Sequence, residues 1–349
     1  MLEFYIVKIL FLSTLAFVFT IAWTPALTRF LYKNKLGKRI RDNGKTPIFS
    51  KLHASKSGTP TMGGVLVWVT VLLFSIIFYY LPNFVNWEFL HNLNFLSRGQ
   101  TLLPLGVLVA TALVGLFDDW LDVRGRGVLG GGGLKVWHRL IIYTLIATIG
   151  ALWFYFKLDW DLFSIPFVGS FNIGWSYIIV FIIVIVSTAF SVNETDGLDG
   201  LAGGTLLTSF SAYAIISFML GKYDLAVFCA LIVGALLAFL WFNIKPARFF
   251  MGDTGAMSLG ITLGVIAMLT DTAILLIIIG SVFVLESLSV IIQNLSKKIR
   301  KKKIFFSTPI HHHFEAKGWP EYKVVMRFWV IAGVSSALGV CIFLLDTFI

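Results

Sequence analysis

Five short polar segments stand out because their residue types could handle phosphate, a hard cation and a proton together. Phe117-Asp118-Asp119-Trp120-Leu121-Asp122 closes an apolar run. One carboxylate of the adjacent pair could bind Mg²⁺ while the other accepts a proton. Acids at a helix C-terminus oppose the macrodipole, which favours this reading over a pair of solvated helix-end acids. In Asn193-Glu194-Thr195-Asp196-Gly197-Leu198-Asp199-Gly200 the last two acids are three apart, so one helical turn would bring Asp196 and Asp199 together. The glycines there allow close approach of a ligand; an Asx-turn with a helix cap is the plainer alternative. Phe249-Phe250-Met251-Gly252-Asp253-Thr254-Gly255 sets Asp253 just before a helix, where it could be a cap; with four other acids nearby, metal ligation is the stronger reading.

Two more segments supply hydroxyls, a lysine and histidines. His53 to Gly64, which includes Lys56, Thr61 and the Gly63-Gly64 pair, could present backbone N–H groups to an anion ahead of a helix, although Gly-Thr-Pro also begins ordinary helices. Pro309-Ile310-His311-His312-His313-Phe314-Glu315 reads as a loop facing the acids, suited to phosphate binding or proton handling, with metal ligation by two of the histidines the weaker option. No Cys or His set of zinc type accompanies the acids. Cys229 and Cys341 lie inside apolar stretches and read as small buried hydrophobes.

The elements that must position these groups are membrane spans. The 349 residues are 58% hydrophobic and only 13% charged, at net charge +10, which excludes an ordinary soluble domain at about 25% charge. Continuous rather than alternating apolar runs favour a helix bundle over a barrel. The expected architecture is all-α: one integral membrane domain over 1–349, a polytopic bundle of ten spans. They are placed at about 4–30, 62–81, 101–120, 137–156, 174–192, 201–219, 224–243, 255–270, 272–295 and 324–347. The first run is too long for a secretion signal and is followed by a basic loop. Loops one and nine each hold eight Lys and Arg, loop three holds three and loop seven two, whereas the even loops have only Arg98, Lys157 and Lys222. The positive-inside rule then puts the odd loops in the cytoplasm and both termini outside. All five polar segments fall in odd loops. The basic run Lys297–Lys303 abuts a span, so anionic lipid headgroups are its expected partner rather than nucleic acid.

Taken together, the segments from about Lys56 to Glu315 resemble the phospho-N-acetylmuramoyl-pentapeptide transferase family, within the polyprenyl-phosphate N-acetylhexosamine-1-phosphate transferases. Asp-Asp, Asn-x-x-Asp-Gly-Leu-Asp-Gly and Phe-Met-Gly-Asp-Thr-Gly are common to the wider group. Lys-x-Gly-Thr-Pro-Thr-Met-Gly-Gly and His-His-His-Phe-Glu are far more specific to the muramoyl-pentapeptide branch. The resemblance implies a Mg²⁺-dependent transfer of phospho-MurNAc-pentapeptide from UDP-MurNAc-pentapeptide to undecaprenyl phosphate, giving lipid I and UMP. That is a membrane step of peptidoglycan and cell-wall synthesis, linked to cell shape and division, at the cytoplasmic face of the bacterial inner membrane. On the same basis Asp253 is the metal ligand, and Asp118, with Asp119 beside it, positions or deprotonates the lipid phosphate. Asn193 and Asp196 hold the nucleotide with Lys56, Thr61, Asn243 and Gln293. Phe250 stacks on uracil, and His311 and His312 serve the phosphates. Asp199, Lys135 and His313 complete the expected substrate contacts. A homodimer is implied by the family alone.

Two residues depart from the family pattern. Asp122 stands where Lys is usual and Glu194 where Leu is usual, each adding negative charge; Lys135 is expected to restore some positive charge. Transfer of GlcNAc-1-phosphate is the nearest alternative activity, and the triple histidine argues against it. A transporter would place acids at mid-span and show paired halves or broken helices. Glu286 is the main acid at such depth. The ninth span, with Gly280 and Glu286 in an apolar run, can bend to open a groove for a prenyl tail.

Overall fold

A computed structural model describes residues 2–37, 56–85, 87–125 and 133–348. His53 and part of the Gly130–Gly133 stretch lie outside these. The helices are α1 (Leu2–Lys33), α2 (Val65–Tyr80, prolonged by a 3-10 turn to Asn83), α3 (Glu88–Leu93), α4 (Leu102–Arg124), α5 (Val136–Lys157) and α6 (Ser176–Thr195). They continue as α7 (Leu201–Met219), α8 (Tyr223–Asn243), α9 (Gly252–Leu269), α10 (Ala273–Ile279), α11 (Ser281–Ile299), α12 (Ile310–Ala316) and α13 (Glu321–Phe348). Among the described residues nine helices are long and apolar enough to cross a membrane, and α10 with α11 makes a tenth span if taken together. This is the expected polytopic bundle. At about 1.5 Å rise per residue, 18–32 residues are enough to traverse about 30 Å of hydrocarbon.

The bundle is built around α9, which packs on α4 and α6, while α8 packs on α1 and α7. Almost every residue of α9 is buried, and its glycines let neighbours come close. A Cβ on Gly115 of α4 would lie 2.6 Å from the Asp253 carbonyl carbon and 2.7 Å from Thr254 Cα. Trp68 Nε1 donates to Thr254 Oγ1 at 3.2 Å, and that hydroxyl donates to Ala112 O at 2.8 Å, so α2, α4 and α9 are joined by hydrogen bonds as well as by packing.

In the fourth loop Leu162–Ile165 (β1) pairs antiparallel with Gly169–Asn172 (β2), anchored by Ser164 N donating to Asp271 Oδ1 at 3.1 Å. Two local expectations are corrected. The triple histidine lies on a helix, α12, rather than in a loop. Cys341 is exposed on α13, while Cys229 is buried as expected.

The ninth span is broken. Between α10 and α11 the axis turns by 85° at Gly280, within the stretch where a bend was expected. The reason lies in the polarity of α11, whose buried face carries Glu286, Ser287, Ser289, Gln293 and Ser296 while Leu285, Leu288, Ile291, Ile292, Leu295 and Ile299 face outward. Turning at Gly280 lets that polar face look into the bundle and leaves the apolar stripe for lipid.

The described residues of the five polar segments meet at one end of the bundle. At the other end Lys8 in α1 donates to Asn94 O at 2.7 Å, and Asp346 near the end of α13 accepts from Phe167 N at 2.6 Å. Replacing Gly115 by Val should therefore force α4 off α9 and cost about 1–3 kcal/mol as an overpacked contact. A lower melting temperature of the detergent-solubilised protein is the expected result.

Candidate active site

The last turn of α4, the end of α6 and the first turn of α9 converge on one side chain from α5. Arg139 donates from Nε to Asp118 Oδ2 at 2.9 Å, from Nη1 to Asn193 Oδ1 at 3.0 Å and from Nη2 to Asp253 Oδ2 at 2.6 Å. Asn193 Nδ2 closes the ring by donating to Asp253 Oδ1 at 2.5 Å. Asp118 is 2% exposed, so its charge depends on these partners. Leu134 N donates to its other oxygen. Arg139 was not among the expected site residues; it brings a positive charge to these acids, while Lys135 is exposed at the start of α5. A signal was available: a cation inside the first turn of an apolar helix opposes the macrodipole and needs an anionic partner.

Asp119 faces the other way. Its Oδ1 accepts from Asp253 N and its Oδ2 from Thr254 N, both at 3.0 Å, and Thr61 Oγ1 donates to Oδ1 at 3.3 Å. It thus supplies the acceptor that the buried N-terminus of α9 requires. Gly252 has φ of +74°, which permits this turn, and its N–H donates to Asp196 Oδ2 at 3.2 Å. A Cβ there would come within 2.6 Å of Thr61 Oγ1.

Asp196 and Asp199 do not share a helical turn as their spacing suggests, because α6 ends at Thr195. Asp199 instead accepts from Lys56 Nζ at 2.7 Å and from Ala247 N at 3.2 Å. Lys56 also pairs with Glu321 at the start of α13, and Glu321 with Lys245 at 2.7 Å. This second cluster ties the segment before α2 to the α6–α7 and α8–α9 connections and to α13. Neither Glu321 nor Lys245 was expected there. An acid opening a helix is ordinary, so nothing in the pattern singled Glu321 out. Phe250 is half-buried beside it, its ring centroid 5.9 Å from the Lys56 ammonium.

Gly63 and Gly64 do not offer an anion nest: their N–H groups donate to Phe250 O and Met251 O at 2.8 Å each. A Cβ on Gly64 would fall 2.5 Å from Gly255 N, so these glycines serve close packing against the start of α9. Asn243 is likewise committed to backbone. It accepts from Gly200 N at 2.9 Å and donates to Phe249 O at 2.8 Å. Gln293 holds the segment after α11, accepting from Ile304 N and donating to Phe305 O, both at 2.9 Å.

The histidines are arranged individually. His311 is fully buried with Nδ1 2.9 Å from Glu286 Oε2, and its Nε2 packs on Gly197, next to Asp196. His312 Nδ1 lies 2.7 Å from Glu315 Oε2. His313 accepts from Phe306 N at 3.1 Å through Nδ1 and stacks on Phe306. Burial, with Lys317 nearby, lowers its pKa, which suits a neutral ring accepting at Nδ1. Asp122, the first departure from the family pattern, accepts from Gly133 N at 3.1 Å, next to Leu134, whose N–H reaches Asp118. Glu194 lies within electrostatic reach of His311 and Arg139.

The first cluster can be tested as a cation site from its own chemistry. Its donors are all oxygens, as Mg²⁺ prefers. Asp118, Asp119 and Asp253 outnumber Arg139, leaving the cluster net negative. A guanidinium already bridges Asp118 and Asp253, so a positive charge fits between them. Among the described residues no three His, Cys, Asp or Glu side chains are grouped to enclose a metal ion. That donor set fits a Mg²⁺ held by one or two carboxylates that keeps water and phosphate ligands.

Comparison with known proteins adds to this geometry. Residues 101–271 match the model of glycosyl transferase family 4, and residues 56–66 match phospho-N-acetylmuramoyl-pentapeptide-transferase signature 1. Proteins named phospho-N-acetylmuramoyl-pentapeptide-transferase are similar over nearly the whole chain. That of Anoxybacillus flavithermus is 39% identical over 335 residues, covering 96% of this chain and 97% of the relative. That of Bacillus subtilis is 39% identical with the same coverage, and that of Chloroflexus aggregans is 39% identical over 97% of this chain and 90% of the relative.

If Asp119 acts chiefly through the two N–H groups of α9, Asp119→Ala should cost about 1–3 kcal/mol through unsatisfied buried donors. Thermal unfolding of the solubilised protein would register that loss, whereas an unchanged melting temperature would contradict the capping role.

Proposed function

The chain belongs to the phospho-N-acetylmuramoyl-pentapeptide-transferase family, a multi-pass membrane transferase of peptidoglycan synthesis, and from that premise we propose its substrates, cation and site roles. It transfers phospho-MurNAc-pentapeptide from UDP-MurNAc-pentapeptide to undecaprenyl phosphate, releasing UMP and leaving lipid I. The odd loops, and the site with them, face the cytoplasm at the bacterial inner membrane; both termini lie outside. The observation that carries the reading is the convergence of Asp118, Asn193 and Asp253, from three spans, on one cation.

The chemistry explains why such a site is needed. Both substrates are anionic, and two unit charges 4 Å apart repel by about 4 kcal/mol at an effective dielectric of 20. Uncompensated, that is about a thousandfold in rate. Asp253 would hold Mg²⁺, which when bound would supply charge neutralisation at the diphosphate. Asp118 orients the lipid phosphate or takes its proton, so that an oxygen of that phosphate attacks the β-phosphorus in line. The bond to UMP then breaks as the new diphosphate forms. One diphosphate replaces another, which makes the transfer close to balanced. Asn193 holds Asp253 in place, and Asp196 shapes the turn that opens α9 and faces the nucleotide. Phe250 and Lys56 receive the uracil and its ribose phosphate. Asn243 and Gln293 act by fixing the connections around the nucleotide, and Asp199 by holding Lys56. His311 and His312 border the phosphates. Asp119 and Thr61 keep Asp253 at its post, while His313 and Lys135 shape the rim.

Purified protein should release UMP from UDP-MurNAc-pentapeptide only when undecaprenyl phosphate and Mg²⁺ are present. Asp118→Asn and Asp253→Asn should each lower turnover by at least about 10²-fold. Release from UDP-GlcNAc instead would overturn the substrate assignment. Lipid-independent exchange of labelled UMP into the nucleotide sugar would indicate a covalent aspartyl-phosphate intermediate in place of direct attack.

A further inference from the structure

We propose that Arg139 is a built-in counter-cation that competes with the divalent metal for Asp253 and Asp118, and must give way for the metal to bind. The inference rests on the Mg²⁺ reading above and concerns what the chain itself puts in the metal's place. All three guanidinium nitrogens are committed, one each to Asp118, Asn193 and Asp253. Asp253 has no oxygen outside this ring, since Oδ2 takes Arg139 and Oδ1 takes Asn193. A metal ion ligated by Asp253 therefore has to share an oxygen with one of the two or displace it.

Charge decides which. Arginine does not lose its proton in proteins, so Arg139 stays cationic whatever binds beside it. A divalent ion beside a guanidinium is repelled twice as strongly as a monovalent one at the same distance. The neutral Asn193 amide meets no such repulsion. Arg139 also has somewhere to go, because its side chain is 24% exposed while Asp118 is 2% exposed. Without metal, the guanidinium does work that no other described side chain in the ring can do. It offsets the repulsion between two carboxylates that share it, and its planar fork fixes their spacing in a way a lysine ammonium would not. The site is thereby kept assembled, at the cost of weaker metal binding.

The test is Mn²⁺ titration of the purified, substrate-free protein, followed by electron paramagnetic resonance of free and bound ion. Arg139→Gln should bind Mn²⁺ at least about tenfold more tightly than wild type. Its melting temperature should be lower without metal and rise more on adding Mn²⁺. Arg139→Lys, which keeps the charge but loses the fork, should lie between the two and serves if the glutamine variant does not fold. Arg124→Gln removes a cation at the end of α4, the helix that carries Asp118, and should leave the affinity unchanged. Equal affinity for wild type and both Arg139 variants overturns the proposal. So does an equal gain in Arg124→Gln, which would mean that charge alone is at work. Absence of saturable Mn²⁺ binding in every protein overturns it too; whether the transfer reaction falls with it is read separately from UMP release.

Discussion

The structure depends on burying the N-terminus of α9 at the centre of the bundle. The first N–H groups of any helix lack intrahelical acceptors, and in hydrocarbon no water can stand in for them. Here acceptors come from side chains across the bundle: Asp119 on Asp253 and Thr254, and Asp196 on Gly252. Asp119 reaches because α4 approaches α9 closely at Gly115, as the segment opening α2 does at Gly64 against Gly255. The capping constraint thus explains why Asp118 and Asp253 are neighbours at all. Asp119 holds the helix that carries Asp253, and Asp118 is the residue before it on α4.

A second consequence concerns charge. Ionised side chains close to hydrocarbon need partners, and this chain supplies them in closed sets rather than as isolated pairs. Arg139 serves Asp118, Asn193 and Asp253; Lys56 and Lys245 serve Asp199 and Glu321; Glu286 holds His311. The sets are joined through backbone. The turn from Asp196 to Gly200 touches all three, with Asp196 reaching Gly252, Gly197 against His311 and Asp199 on Lys56. One glycine-rich turn therefore relays the position of α13 and α12 to the first turn of α9. Substituting side chains in that turn alters three charge sets at once.

The break at Gly280 follows from the same economy. A straight ninth span would have left Glu286, Gln293 and three serines of α11 facing lipid. Turning by 85° gives them partners inside, Gln293 with the segment after α11 and Glu286 with His311, while leucines and isoleucines meet the membrane. The polar groups of α11 are thereby brought to the same end of the molecule as the acids.

How much of this was legible in the residues is clear from particular cases. Ten spans and a common end for the five polar segments could be read from apolar length and loop order, because each depends on local composition and on alternate crossing. Asp118, Asn193 and Asp253 stood out by type, and they do meet. Arg139 did not, since its partners are 21, 54 and 114 residues away and nothing in its own neighbourhood names them. The spacing of Asp196 and Asp199 pointed to a shared turn, but the helix ended one residue before the first of them. Asn243, Gln293 and the Gly63-Gly64 pair looked like ligand groups and turned out to be bonded to backbone, which no local pattern distinguishes. By itself, then, the sequence determined the membrane class, the number of spans and the set of chemically capable residues. Only the tertiary structure decided which carboxylate meets a cation, which caps a helix and which holds a lysine, because those assignments depend on through-space distances between segments that the chain order leaves free.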